Sequence, residues 1–234
     1  MTRVAGVDGT PGGWAVVIVE ADRRRIRKVR ALSEIFDGAA RLDVVAVDVP
    51  IGLCDAYETG GRACDREARK RLQKRASSVF PAPVRPVLAA SSWEDACAHS
   101  RASAPEGKAI SKQTFNILQK IKEVDDLLQA HPKLRDVVRE VHPEVCFCEL
   151  VGHPMSYPKK KKEGRHERQQ ALARYFSDLD AILDAGRKEG LPREDLLDAT
   201  VACWSALRLA DGRGHSLIEP VPRDGTGLPM TIWV

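Results

Sequence analysis

Aromatic residues make up only 5% of the chain. So small a share leaves little for a platform that stacks unpaired bases. A dominant charge of one sign is also missing. The formal balance is +4, short of the strong basicity of a dedicated nucleic-acid coat, so contact with a polyanion has to come from local patches. No apolar run approaches the ~20 residues that a membrane-spanning helix needs. No charged-then-apolar leader opens the chain. Six cysteines are present without one CxxC pair, so paired zinc-ligand clusters are lacking and a reduced, cytoplasmic setting is expected.

What is present is a core. Hydrophobic residues are 43% of 234, enough for one large domain spanning 1–234 with an insertion inside it. Residues 3–8 read as an apolar strand that ends at Asp8-Gly9. The turn Thr10-Pro11-Gly12-Gly13 leads to a second strand over 14–20, and Ile26–Leu32 reads as a third. Short turns between the three imply an antiparallel meander. A short helix is expected over 33–42 with Ser33 as its cap. Val44–Asp48 is continuously apolar until its last residue, as expected of a strand buried on both faces and parallel to its neighbour through a crossover.

Residues 54–135 break this rhythm and read as a mostly helical insertion or lid. One helix is expected from Arg62 to Arg75 and another from about Ser111 to Ala130, where Leu118, Ile121, Val124 and Leu128 recur at helical spacing. Val137–Leu150 reads as a fifth strand, with Glu140, His142, Glu144, Cys146 and Cys148 alternating onto one face. An amphipathic helix over 165–185 buries Leu172, Tyr175, Phe176, Leu179 and Leu183. Pro192 suits the first turn of a last helix running to about Ala210, and the tail from 218 to 234 reads as a hairpin around Asp224-Gly225-Thr226-Gly227.

Three meander strands, a crossover, a fourth apolar strand and a closing acidic helix describe a ribonuclease H-like α/β layout. The expected sheet is mixed and five-stranded, in order 3-2-1-4-5 with strand 2 antiparallel. Asp8 and Asp48 then end neighbouring strands, where open α/β sheets collect ligands. At helical spacing Asp195, Asp198, Ala199, Ala202 and Ala206 form one stripe, and small alanines let a helix approach a sheet closely. Carboxylates gathered there repel and raise one another's pKa, a conflict that Mg²⁺ or Mn²⁺ removes. Each acid alone has a plainer reading. Asp8-Gly9 is equally a turn, Asp48 equally a strand end, and Glu194, Asp195 and Asp198 suit the macrodipole of a helix start. The combination, in this order, points to metal-dependent hydrolysis of phosphodiesters.

The stretches GVDGTPGGWAVV (6–17), VAVDVPIGL (45–53), RACDREARKRL (62–72), SSVFPAP (77–83), SKQTFNILQKIKEVD (111–125), EVHPEVCF (140–147) and EDLLDATVACWSA (194–206) carry a family resemblance. The chain resembles an uncharacterised prokaryotic family of predicted ribonuclease H-like nucleases, and the matching stretches touch nearly its full length. In the wider superfamily, Holliday-junction resolvases are similar in using one acid on strand one, one on strand four and an Asp-x-x-Asp on the last helix. That resemblance implies an acidic centre of Asp8, Asp48, Asp195 and Asp198; Asp8, Asp48 and Asp198 are expected to be the metal ligands, Asp195 and Glu144 auxiliary ligands or orienters, and the lysines 159–162 further contacts to a nucleic-acid backbone. The insertion after strand four departs from both resolvases and ribonucleases H. Its Arg62, Arg66, Arg69, Ser77, Ser78, Lys112, Gln113 and Lys120 are of the types that hold phosphates, on DNA, RNA or a smaller phosphorylated substrate, and are equally surface charges or internal partners. Glu144 and His142 have two readings. Either they reach the acids, with His142 as general base or proton shuttle, or Glu144 bonds a loop or an arginine of the insertion. Two rival functions stay open: a non-catalytic nucleic-acid or protein binding module, and an actin-like phosphotransferase or ATPase, suggested by the Asp-Gly turn.

Overall fold

The computed structural model of the protein describes residues 2–21, 23–38 and 41–234. Its strands are β1 (Arg3–Thr10), β2 (Gly13–Glu20), β3 (Arg23–Val29), β4 (Val44–Val47) and β5 (Val138–Glu140). Its α-helices are α1 (Ala63–Leu72), α2 (Trp93–Ala102), α3 (Lys112–Asn116), α4 (Leu118–Ala130), α5 (Pro143–Val151), α6 (Lys162–Ala173), α7 (Leu179–Lys188) and α8 (Arg193–Ala210). The five strands form one sheet in the order β3-β2-β1-β4-β5. β2 is antiparallel to β1 and β3, whereas β1–β4 and β4–β5 are parallel. This is the ribonuclease H-like topology expected from the sequence, with the helical segment α1–α4 following β4.

Apolar runs place the sheet in the middle of two layers. On one face Val4, Ala15, Val17, Val44 and Ala46 pack with Phe147, Leu172, Ala199 and Cys203. On the other Ala5, Val7, Val16, Val45 and Val47 pack with Leu32, Ile121, Val124 and Leu128. Because strand side chains alternate, Val4, Gly6 and Asp8 share the α8 face of β1, and Val44, Ala46 and Asp48 share that face of β4. Asp48 lies one residue beyond β4, and its N–H donates to Val7 O at 3.0 Å. The two acids are thereby brought to one edge of one face.

α8 presses directly on β1. A Cβ on Gly6 would lie 2.1 Å from both Ala199 O and Cys203 N. Glycine is needed here for close approach rather than for an unusual dihedral. Gly6→Ala is expected to cost about 3 kcal/mol in urea unfolding, because backbone on both sides must give way. A loss below ~1 kcal/mol would mean the helix backs off cheaply and is not clamped by this contact.

Several elements differ from the sequence expectations. The third strand is Arg23–Val29 rather than 26–32. As an edge strand rich in arginine it needs no buried alternation to pair, so its start carried no apolar signal. The helix expected over 33–42 is a single 3₁₀ turn, Leu32–Ile35. Ser33 does not cap it; the Glu34 carboxylate instead accepts from the N–H groups of Arg30 and Ala31 at 2.9 and 2.8 Å. Residues 39 and 40 of that expectation lie outside the described residues.

The helix over 111–130 divides at Ile117 into α3 and α4. The helix over 165–185 divides into α6 and α7, which lets α6 pack on α5 and α8 while α7 turns toward β3. Tyr175, in the break, is 54% exposed rather than buried. The fifth strand stops at Glu140, and 143–151 is helix α5. Pro143 has no N–H to give a sheet ladder but suits a helix start, and Gly152 in a left-handed conformation ends the helix. Val145, Cys146, Phe147, Cys148 and Leu150 are all buried, so this helix is apolar around most of its circumference and mimics a strand. The shared face of Glu140, His142, Glu144, Cys146 and Cys148 therefore does not exist. In the tail the turn at 224–227 forms, and its arms pair through isolated bridges, Arg223 to Pro229 and Ser216 to Trp233, and scattered backbone hydrogen bonds such as Met230 N–H to Pro222 O at 2.8 Å, without a continuous strand ladder. Trp233 N–H donates to Glu140 O at 2.9 Å and covers the outer edge of β5. All six cysteines are free. Among the described residues no helix is long and apolar enough to cross a membrane.

Candidate acidic site at the strand ends

β1 delivers Asp8, the β4 end delivers Asp48, and the first turns of α8 deliver Asp195 and Asp198. α8 starts where Pro192 stops the preceding chain and where Glu194 and Asp195 favour the helix macrodipole. Its alanine stripe seats it against Gly6, so its acidic end meets the strand ends. Asp8 is 7% exposed and Asp198 1%.

The three carboxylates feel one another. Burial, then the charges of Asp48 and Asp198, hold the Asp8 pKa well above the carboxylate range, against an opposing pull from Lys159. Burial also raises Asp48, offset by the charges of His142 and Lys159 and by a hydrogen bond with Asp8. Two carboxyl groups that share a hydrogen bond need a proton or a cation between them. Burial lifts Asp198 to about 6, with Lys159 opposing and Asp48 and Glu144 adding to the rise. Lys159 Nζ lies 2.6 Å from Asp198 Oδ2. Burial lowers the Lys159 pKa, but Asp198, Asp8 and Asp48 together raise it beyond its ordinary value.

A pH effect follows from Asp198. Its folded pKa lies above the unfolded value, so the folded state holds the extra proton and stability falls as pH rises from about 4 through about 6. Asp198→Asn removes this liability. Without divalent cations the variant is expected to melt close to wild type at pH 4 and above it at pH 7.5. Calorimetric scans at both pH values check this, and a gap that shrinks with rising pH would contradict it.

His142 and Glu144 stand at the start of α5. Val141 N–H donates to Val47 O at 3.0 Å, which sets this helix start beside Asp48. Glu144 Oε1 accepts from Arg168 at 2.5 Å and faces Arg75 at 3.8 Å. Glu144 Oε2 and His142 Nδ1 are buried without a hydrogen-bond partner among the described residues. His142 Nε2 lies 3.3 Å from Ser78 O.

Among the described residues no three His, Cys, Asp or Glu side chains already stand in a metal-binding arrangement. Asp198 is turned toward Lys159 and Glu144 toward Arg168, so the acids converge without closing on a common point. The donor set nevertheless fits a hard divalent cation. It is all oxygen, and Glu144 keeps one buried oxygen without a partner.

The candidates from the insertion separate into two groups. Arg62 is 2% exposed, and its guanidinium bonds Asp65, Glu140 and the carbonyls of Ile51 and Gly52. Its guanidinium is engaged internally, the internal-partner reading of the alternatives the sequence left open: two buried carboxylates draw it inward. Arg66 pairs with Glu58 at 3.3 Å and bonds Gly61 O, while Arg69 bonds Val79 O and Gly60 O. Both pin a glycine turn. Lys112 lies 3.6 Å over the Trp93 ring, and Gln113 is exposed. Ser77 is exposed, and Ser78 Oγ donates to Arg75 O at 2.7 Å. Lys120 alone of the insertion candidates approaches the acids by its charge, which acts on Asp8 and Asp195. It bonds Gly13 O and lies 4.3 Å from the Trp14 ring centre. With Gly9, Arg30, Asn116 and Asp195 it lines an open cleft of about 490 Å³ beside the glycine turn. The pairing of Lys159 with Asp198 and of Arg168 with Glu144 is not visible in the sequence, where Lys159 belongs to a lysine run expected to hold a nucleic-acid backbone and Arg168 to an ordinary amphipathic helix.

The sheet is ribonuclease H-like, with acids gathered at the ends of its first and fourth strands. The chain belongs to the family described as Protein of unknown function (DUF429), whose model matches residues 6–223. No curated protein and no solved structure matches it.

Proposed function

We propose that the protein hydrolyses phosphodiester bonds with Mg²⁺ or Mn²⁺ held by Asp8, Asp48 and Asp198. The observation that supports this reading is the convergence of these three carboxylates, from the ends of β1 and β4 and the start of α8, with Lys159 paired to Asp198 beside them. A bound divalent cation supplies charge for the attacking and leaving oxygens at phosphorus. Asp8, Asp48 and Asp198 would hold it and would be kept ionised by its charge. Glu144, with one oxygen held by Arg168 and one unpartnered, would orient a water. His142, whose Nδ1 is unpartnered and whose charge acts on Asp48, would carry a proton. Lys120 and Arg30 along the glycine-turn cleft, and the exposed Lys160 and Lys161, offer charge to neighbouring phosphates of a DNA or RNA strand or of a smaller phosphorylated substrate.

A second reading is a binding module on the same fold. It is favoured by the pairing of Asp198 with Lys159 and of Glu144 with Arg168, which leaves those acids already partnered. Cleavage of single- and double-stranded DNA and RNA, assayed with Mn²⁺ and with chelator, for wild type and Asp8→Asn, separates the two. Mn²⁺-dependent cleavage lost in the variant supports the hydrolase. Cleavage equal in both proteins rejects it.

A further inference from the structure

We propose that Lys159 is a tethered counter-ion, lodged among the acids in the absence of a divalent cation and displaced when one binds. The inference rests on the reading of Asp8, Asp48 and Asp198 as an ion-binding centre. Its geometry is specific. Lys159 Nζ lies 2.6 Å from Asp198 Oδ2, and its charge acts also on Asp8 and Asp48. Among the described residues no other lysine or arginine forms an ion pair with Asp8, Asp48, Asp195 or Asp198. Asp198 has a side chain only 2% exposed. A buried carboxylate left unpaired is costly, so the metal-free protein needs a cation at this position.

Lys159 is built to be temporary there. Its side chain is 43% exposed, so the ammonium reaches the acids from solvent and can return to it. The backbone beneath it is fixed. Glu167 accepts from the N–H groups of Ser156 and Tyr157 at 2.8 and 3.1 Å, and Lys161 N–H donates to Pro158 O at 3.0 Å. Gly164 of α6 is pressed against Pro158 O, where a Cβ would lie 2.1 Å away. The movement is therefore a rotation of one flexible side chain rather than of the loop. A lysine suits it, being a compact point charge on a mobile stem, whereas an arginine fork would grip the carboxylate with two bonds. Arg168 differs from Lys159 in exposure: it bonds one oxygen of Glu144 with a side chain only 1% exposed. Displacement also has a consequence. The freed ammonium stays within a side-chain length of the acids, in reach of a phosphate held there.

A cation that must be displaced weakens the binding of the cation that displaces it. Calorimetric titration of Mn²⁺ into wild type, Lys159→Met, Lys159→Arg and Asp8→Asn tests this, with melting temperatures in chelator and in Mn²⁺. Lys159→Met is expected to bind Mn²⁺ about 5-fold tighter or more. It should melt lower than wild type in chelator and regain the difference in Mn²⁺. Lys159→Arg is expected to bind no more tightly than wild type. If Asp8→Asn abolishes binding but Lys159→Met binds equally or more weakly than wild type, the counter-ion role is overturned and the ion centre stands. If neither wild type nor Lys159→Met binds Mn²⁺ in a way that Asp8→Asn removes, the ion centre itself falls and this role with it.

Discussion

Asp8→Asn and Asp48→Asn are each expected to lower Mn²⁺-dependent cleavage by roughly 10³-fold or more while keeping the fold. Asparagine matches aspartate in shape, so packing beneath α8 is retained. It removes one negative charge and one hard oxygen donor from a set of three. Each deletion should act nearly as fully as both together, because groups that act as a unit are not additive. Stability should move the other way. Burial raises both carboxyls above their unfolded values, with the charges of Asp48 and Asp198 adding to the rise at Asp8, so at neutral pH the ionised forms burden the folded state. The asparagine variants should therefore melt no lower than wild type in chelator at pH 7.5. Mn²⁺ should raise the wild-type melting temperature and leave theirs unchanged. Single-turnover cleavage retained within ten-fold of wild type in either variant would remove these residues from the chemistry.

The acids were legible because the strands were. Val4–Val7 and Val44–Val47 are uninterrupted apolar runs, each closed by an aspartate, and turn residues fix the meander between them. Once β1 and β4 are neighbours, alternation alone puts Asp8 and Asp48 on one face. The alanine stripe of α8 then fixes which face, since Gly6 admits nothing larger than a helix backbone. Partners were illegible for the opposite reason. A side chain's counter-charge comes from remote sequence, and composition does not say which arginine goes inward. Arg62, Arg66 and Arg69 look alike in sequence, yet only Arg62 finds two buried carboxylates. Lys159 looks like its three neighbours, yet only it finds Asp198. Around α5 the sequence misleads, because a helix buried nearly all round shows no polar face from which to count.

Arg62→Met is expected to destabilise the protein by roughly 3–5 kcal/mol, through the carboxylates it leaves behind. Arg62 donates to Glu140 at 2.7 and 2.5 Å, to Asp65 Oδ1 at 2.7 Å, and to Ile51 O and Gly52 O at 2.9 and 3.1 Å. It joins the start of α1 to β5 and to the segment that leaves β4. Glu140 is also bonded by Ile51 N–H at 2.6 Å, and its backbone oxygen receives Trp233 of the tail. Even so, burial holds Glu140 at about 7, with Arg62 pulling it down and Asp65 adding to the rise. Without Arg62 the pull disappears, so Glu140 is expected to stay protonated well above neutral pH. The loss should then be smaller at pH 5, where a neutral Glu140 is the ordinary state, than at pH 8, where its ionised form is strongly disfavoured. Glu140→Gln added to Arg62→Met should recover part of the stability, since it removes one of the two stranded charges. Because β5 leads directly into the start of α5, the same change should also disturb His142 and Glu144, and cleavage should fall even at temperatures where the variant remains folded. Chemical denaturation at pH 5 and pH 8, with the double variant beside the single, measures each part. A loss below ~1 kcal/mol at pH 8 would mean that the insertion is held to the sheet by its apolar contacts and that this buried charge network is incidental to it.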